Sequence, residues 1–492
     1  MSKTKDFSIP KEVSHVTDKL ESAGFEAYLV GGCVRDLLHG KKPKDWDVTT
    51  NATPDQILPL FEHAFYENDF GTVGVVNESC EDKTLEVIEV TTYRLEAAYS
   101  DSRHPDAVTF SSKLEDDLKR RDFTINAIAY GISQNKIVDP FNGQIDISKE
   151  ILRAVGNPLE RFKEDALRIL RAVRFMAELH FEIEEETKKA IEEAAPALAN
   201  IAKERIRDEF IRILESNNPM NALIKAHELG VLEYITRKLE EGIGIEQNQA
   251  HKYDVWEHNL RSLQHAVDKK WNIIIRLAAL FHDIGKPRAR KWSDEKKDWT
   301  FHGHEVIGAR MAERILADLK FPKKTIEDVT KLVRWHMFFS DTEKITLSAV
   351  RRLLRNVGHE NVWHLMDLRA CDRIGTGRPK ENPYRFRKYK AMIEEVLEDP
   401  INVTMLKING SDLISLLGIE PGPKIGHILH ALLEETLEDP SKNTKEFLEK
   451  RAQQLNRMDI DELKKLGDQG RIKKEKTEEE NIAKIHRKYW VD

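Results

Sequence analysis

The chain has 492 residues, too many for a single compact core, so several domains are expected. Charged residues make up 33% against 40% hydrophobic, and no run of about 18 apolar residues occurs, which excludes a helix that spans a membrane. A net charge of −7 gives no general attraction to polyanions, so any phosphate binding has to rest on local basic surfaces.

From the amino end, a helix over about 10–23 precedes an apolar strand, Ala27-Tyr28-Leu29-Val30, which stops at Gly31-Gly32. A second helix follows, then a strand carrying Asp45-Trp46-Asp47-Val48, then two β-rich segments, Gly71–Val76 and Thr84–Val90. These elements predict an α/β head over 1–150. Within it, Arg94–Pro105 is polar and poorly periodic and ends in proline, which predicts a mobile loop. From Glu160 the pattern turns helical, with Leu167, Leu170, Val173 and Phe175 near helical spacing. The rest divides into a helical neck over 151–245, a histidine-rich helical module over 246–380 and a helical carboxy-terminal region over 381–492. That last region is interrupted near Gly410 and at Pro421-Gly422-Pro423, and beyond Met458 it is charge-dense and expected to be partly disordered. The fold class is therefore multidomain and mostly α, with one α/β head. Cys33, Cys80 and Cys371 form no CxxC, and MSKTKDFSIP lacks the apolar stretch of a secretory signal, so a cytoplasmic location is expected.

The first constellation is Val30-Gly31-Gly32-Cys33-Val34-Arg35 followed by Asp45-Trp46-Asp47. Two glycines between a strand and a helix let backbone amides approach a triphosphate, and the helix amino terminus favours the anion. Asp45 and Asp47, at i and i+2 of a strand, would face the same side and suit hard Mg²⁺ ions. A third carboxylate is needed to hold two ions. Glu89 is the candidate, and Glu86, placed on the other face by strand alternation, is its rival. Two ions about 4 Å apart would activate an attacking hydroxyl and stabilise a leaving pyrophosphate. The alternative is a tight turn beside a surface strand end.

The string LVGGCVRDLLHGKKPKDWDVTTNATP resembles the signature of the class II tRNA nucleotidyltransferase and bacterial poly(A) polymerase family. Arg120-Arg121-Asp122-Phe123-Thr124-Ile125-Asn126-Ala127, Asp139-Pro140-Phe141-Asn142-Gly143 and Glu164-Asp165-Ala166-Leu167-Arg168 match three further family motifs in order. The resemblance implies a polymerase-β-like head that adds CCA to the tRNA 3′ acceptor end from CTP and ATP with Mg²⁺. It implies that Gly31, Gly32 and Arg35 meet the triphosphate, and that Arg121, Asp122 and Asn126 meet sugar or phosphate. Family enzymes that add the terminal A carry a loop where Arg94–Pro105 lies, which argues for full CCA or A addition over CC addition. Poly(A) polymerases share most of these motifs and remain the alternative.

Asp165, Arg168, Arg171 and Arg174 recur every three residues along one side of a predicted helix. Forked arginine donors with a carboxylate acceptor can pair with a base edge. The plainer reading is an ion-pair ladder, against which the excess of arginine counts because it would leave cations unpaired. By resemblance, Asp165 and Arg168 select C or A, while Arg171 and Arg174 meet phosphates or stacked bases.

The third constellation gathers His258, His282-Asp283, His302, His304, His336 and Asp372. Adjacent His and Asp at the end of an apolar helix can reach one ion, and neutral imidazole suits a transition metal. The order H…HD…D resembles the HD-domain metal-dependent phosphohydrolases. That implies His258, His282, Asp283 and Asp372 as ligands, with His304 and His336 as further candidates, and hydrolysis of phosphate at RNA 3′ ends. Two other readings stand beside the main one: a regulatory nucleotidyltransferase acting on a protein or signalling nucleotide, and a phosphohydrolase with a degenerate head.

Candidate RNA surfaces are Lys119–Arg121, Lys188, Lys189, Lys203, Arg205, Arg207, the aromatic-interleaved run Arg378–Lys390, and Arg471–Lys476. Each is equally a solvated charged face.

Overall fold

Val13, Val16 and Leu20 recur at helical spacing and are fully buried, and Lys11–Ser22 folds as the helix that this pattern dictates. It leads into the first strand of a seven-stranded mixed sheet. The computed structural model describes residues 7–68, 71–78, 80–96, 108–248, 251–338, 346–397, 406–438, 440–459, 462–465 and 485–491. The strands of the head are β1 (Ala27–Val30), β2 (Asp47–Thr50), β3 (Ala64–Asn68), β4 (Thr72–Val76), β5 (Val87–Thr92), β6 (Arg94–Glu96), β7 (Val108–Phe110), β8 (Ala129–Gly131) and β9 (Lys136–Val138). The sheet order is β3-β4-β5-β2-β1-β8-β9, and only the β2–β5 pair is parallel. Leu29, Val48, Ile88 and Val90 are buried on one face, and Val30, next along β1, packs on the other with Tyr93, Leu114, Leu118 and Ala129.

Two local expectations are corrected. Asp45 lies in the bend before β2, which begins only at Asp47, because the Lys42-Pro43-Lys44 run delays pairing. Glu86 closes a short 3₁₀ turn, Lys83–Leu85, and precedes β5, so it has no strand face at all. Part of the predicted loop is also ordered: Arg94–Glu96 pairs antiparallel with Val108–Phe110. Residues 97–105 of that loop lie outside the described residues.

The chain divides into two compact units, one of residues 1–334 with 371–378 and one of 335–370 with 379–492. In the first, helices follow the head from Pro158 onward, among them Pro158–Glu164, Leu167–Leu179, Lys203–Glu215, Val255–Asp268, Ile273–Phe281 and His304–Asp318. In the second, Leu406, Ile408, Leu413, Ile428, Leu432, Leu448 and Leu455 form a common core. Of the tail expected to be partly disordered, 460–461, 466–484 and 492 lie outside the described residues. Its end is ordered, with Ile485 and Val491 buried against Ala391. Lys488 and His486 pair with Glu394 and Glu395. Phe386 and Tyr389 on helix Tyr384–Leu397 are buried with Ile393 and Val396. Helical spacing thus turns these aromatics inward, and the interleaved run is not a stacking surface at those two positions.

Candidate functional site

Gly31 adopts φ 79° at the junction of β1 and helix Gly32–Leu38, a conformation glycine reaches without strain. A Cβ there would lie 2.9 Å from the Arg121 guanidinium and 3.5 Å from Asp47 Oδ2; one at Gly32 would lie 3.6 Å from Asp45 Oδ1. The glycine pair is therefore walled by both aspartates and an arginine, although Asp45 is not in the strand. Across the parallel pairing, Asp47 stands directly opposite Glu89.

This crowding of carboxylates is costly without a cation. Burial, together with Asp45 and Glu89, pushes Asp47 up to about 7. Burial, Glu67 and Asp45 raise Glu89 in the same way. Acidic oxygens that destabilise one another on a half-open surface are the donor set that a hard divalent ion requires. Glu67 was missed in the sequence. It sits at the register shift of β3 between Tyr66 and Asn68, and a bulge that re-aims a side chain leaves no trace in residue periodicity.

On the other flank, Arg120 and Arg121 both pair with the fully buried Asp117 at 2.6 and 3.0 Å. Burial works against the Asp117 charge, but Arg121 and Arg120 outweigh it and hold the carboxyl below its usual range. The i+3 and i+4 spacing of Asp117 to those arginines was a legible cue. Asn126 accepts from Arg35 NH1 at 2.9 Å and donates to Asp122 at 3.1 Å. Asp122 in turn accepts from Arg171 Nε at 2.8 Å. Burial opposes the Asp122 charge, yet Arg171 and the Asn126 amide pull its carboxyl down to about 2.

The expected stripe of four residues on one helix is corrected. Asp165 separates two helices with extended backbone (φ −146°, ψ 104°), and the helix proper begins at Leu167. One Asp165 oxygen accepts from Leu167 N at 3.0 Å just ahead of that helix, and the other accepts from Arg205 at 2.8 Å. Arg168, buried, donates to Glu164 at 2.7 Å and to the Arg120 carbonyl at 3.1 Å. Arg174 pairs with Glu209 at 2.8 Å. The arginines are thus not left unpaired. Each has a carboxylate, mostly from another element, because burying a guanidinium unpaired would cost several kcal/mol (order of magnitude). Arg205 and Arg207, expected on RNA, are used within the protein, Arg207 on Asp208 and the Lys320 carbonyl.

The second cluster is almost wholly buried. His258, His282, Asp283 and Asp372 place ligand atoms within 4.8 Å of one another. His258 Nε2 lies 2.9 Å from His282 Nε2 and 3.0 Å from Asp283 Oδ2. His282 Nδ1 is 2.8 Å from the Ala279 carbonyl, and His304 Nδ1 is 2.7 Å from that of Phe301. With Nδ1–H donating to a carbonyl, each ring turns its Nε2 lone pair inward, the orientation that metal-ligating histidines adopt. His282 Nε2 thus faces His258 Nε2 at 2.9 Å beside two acids, and this set of imidazole and carboxylate donors fits a divalent transition metal. Burial disfavours charge on His282, but Asp283 and Asp372 push it up to about 10, so a proton competes for this place. Lys286 was missed: it is buried, pairs with Asp283 at 2.5 Å and donates to Gln247 at 2.6 Å. His302 is exposed and apart, and His336 belongs to the second unit.

Gly285 makes this packing possible, since a Cβ there would stand 2.2 Å from the His304 carbonyl and 2.5 Å from Gly308 N. Gly285→Ala is expected to lower stability by about 1–3 kcal/mol through overpacking, read as a drop in the thermal midpoint.

Three family descriptions match the chain: "Poly A polymerase head domain" over residues 27–153, "Probable RNA and SrmB-binding site of polymerase A" over 180–242, and "tRNA nucleotidyltransferase domain 2 putative" over 290–452. The CCA-adding enzyme of Enterococcus faecalis is 32% identical over 440 residues, covering 89% of this chain and 94% of its own. The A-adding tRNA nucleotidyltransferase of Deinococcus radiodurans is 32% identical over 422 residues, covering 83% and 91%. Among solved structures, the Bacillus stearothermophilus CCA-adding enzyme in complex with CTP aligns with a TM-score of 0.61 at 27% identity, over 91% of this chain and 98% of that one.

Proposed function

The chain belongs to the tRNA nucleotidyltransferase family that includes the CCA-adding enzymes, and on that premise we propose that it adds C, C and A to the tRNA 3′ end from CTP and ATP. The observation that carries this reading is the convergence of Asp45 and Asp47 on the Gly31–Gly32 pair, with Glu89 in register beside them. Four segments divide the work: a catalytic head (1–150), a neck that reads the base (151–245), a histidine-rich module (246–380) and a carboxy-terminal region (381–492).

Asp45 and Asp47 hold Mg²⁺, with Glu89 as the third acid, and the ion supplies charge neutralisation and polarisation at the phosphate that is attacked. Backbone amides at Gly31 and Gly32 and the amino end of helix Gly32–Leu38 receive the triphosphate. Arg35 and Arg121 add positive charge beside it, and Asn126 and Asp122 fix the position of Arg35. Asp165 and Arg168 present acceptors and donors to the base edge, so one protein surface stands in for a template. Arg171 and Arg174 complete the cationic wall. The neck lysines Lys189, exposed, and Lys188, half-buried, are left as candidates for the acceptor arm, since Arg205 and Arg207 are engaged elsewhere.

Arg205 holds the Asp165 carboxylate in its extended conformation. Arg205→Ala is expected to raise misincorporation of UTP and GTP about 10-fold while CTP turnover falls only about threefold, measured on tRNA ending before the CCA. If fidelity is unchanged, Asp165 does not need Arg205 to read the base.

The buried cluster favours a second activity. We infer that His258, His282, Asp283 and Asp372 hold a divalent transition metal, which supplies Lewis-acid activation for hydrolysis of a phosphate ester at an RNA 3′ end. His304 and Lys286 position Asp283, and Lys286 lends positive charge beside the cluster.

A further inference from the structure

Three guanidinium groups surround one aromatic ring. Cζ of Arg35, from the helix behind the glycine pair, lies 5.4 Å from the centroid of Phe175; Cζ of Arg171 lies 5.5 Å and Cζ of Arg174 4.4 Å from it. The ring is 5% exposed, and Phe123, which follows Arg121 and Asp122, meets it at 5.8 Å and 86°, edge to face. A second connection joins the same groups through polar atoms, from Arg35 to Asn126, Asp122 and Arg171.

Three like charges at this spacing repel, and separate carboxylates, Asp36, Asp122 and Glu209, neutralise them individually. Those pairs fix each arginine to its own neighbour. The ring lies within 6 Å of all three. Its negative faces attract cations within about 6 Å. Arg171 spends its Nε and NH2 groups on Asp122, and its NH1 group is not used in that pair. Arg35 comes from the head and Arg171 and Arg174 from the helix Leu167–Leu179, so the ring sets the distance between cations of two separate elements.

We propose that Phe175 is a positioning residue for the triphosphate grip, holding Arg35 and Arg171 at the separation that the incoming nucleotide's phosphates require, whichever base is attached. The proposal rests on the nucleotidyl-transfer reading of the head. Asp165 and Arg168, which read the base, pair with Arg205 and Glu164, so phosphate affinity and base choice separate experimentally.

The test compares Phe175→Leu, Phe175→Tyr and Phe123→Leu. For Phe175→Leu the expected result is a KM raised about 10-fold for CTP and ATP alike, kcat within about threefold, and unchanged discrimination against UTP. Calorimetric binding of inorganic tripolyphosphate in Mg²⁺, without tRNA or turnover, weakens by the same factor. Phe175→Tyr, which keeps the ring, stays within about threefold of the parent chain in both measurements. Phe123→Leu, which loses similar packing but no cation, leaves tripolyphosphate affinity nearly unchanged. Equal losses in Phe175→Leu and Phe123→Leu, or unchanged tripolyphosphate affinity in Phe175→Leu, overturn the proposal. A parent chain that binds tripolyphosphate but incorporates no nucleotide overturns the nucleotidyl-transfer reading alone, and the binding comparison still decides the role of the ring. A parent chain that does not bind tripolyphosphate sinks the proposal outright.

Discussion

Asp47→Asn is expected to cut nucleotide incorporation by about 10³-fold or more while the head stays folded. Losing one of the carboxylates that hold a catalytic divalent ion removes several kcal/mol (order of magnitude) of transition-state stabilisation, and each ~1.4 kcal/mol is a factor of ten. The same substitution has a second effect that a merely structural residue would not show. Folded Asp47 titrates near 7 because burial, Asp45 and Glu89 disfavour its charge, whereas the unfolded chain releases that proton near the ordinary carboxyl value. The folded state therefore binds an extra proton between those values, and metal-free stability falls as pH rises from about 4 to about 7, with the full penalty standing above. An amide carries no such penalty. In EDTA, Asp47→Asn should melt higher than the parent at pH 8, a gain on the order of 1–3 kcal/mol, and lose that advantage near pH 4–5. Differential scanning calorimetry at both pH values reads it. A variant equally pH-sensitive would show that Asp47 is not the acid whose charge the fold disfavours, and one that stays active would remove Asp47 from the metal site.

His282→Asn should abolish phosphodiester hydrolysis, by about 10³-fold or more with bis-p-nitrophenyl phosphate and added Ni²⁺ or Mn²⁺, while CCA addition stays within about twofold. The expectation follows from the inward Nε2 of His282, 2.9 Å from that of His258 and near both acids. Isothermal titration of the transition metal into the variant should show the tight site gone. Hydrolysis and metal binding that both survive would make the cluster a buried polar network of the core. Loss of nucleotide addition together with hydrolysis would instead show that the two activities share this site.

Much of this arrangement was legible in residue order. The glycine pair, the two aspartates and Glu89 were each identifiable, because short motifs fix local backbone and strand partners. What periodicity did not give was where regular structure stops. Asp165 was placed on a helix, yet its own carboxylate accepts from Leu167 N, and Asp, which readily bonds to nearby backbone, breaks the stripe at its first member. The arginine stripe was read as a surplus of cations. The carboxylates that answer it, Asp122 and Glu209, are 49 and 35 residues away from Arg171 and Arg174, distances at which spacing carries no information. Glu67 was hidden by a register shift, and the aromatic centre at Phe175 looked like one more core residue because Phe175 is one. Its cationic surroundings come from three-dimensional packing alone.

The assignment of the head is tested most directly by giving the protein a tRNA that ends just before the CCA, with Mg²⁺ and labelled CTP, ATP or both. Two C residues with CTP alone, and C, C and then a single A with both nucleotides, are expected. A long run of A, or incorporation that ignores whether the RNA is tRNA, would contradict the account.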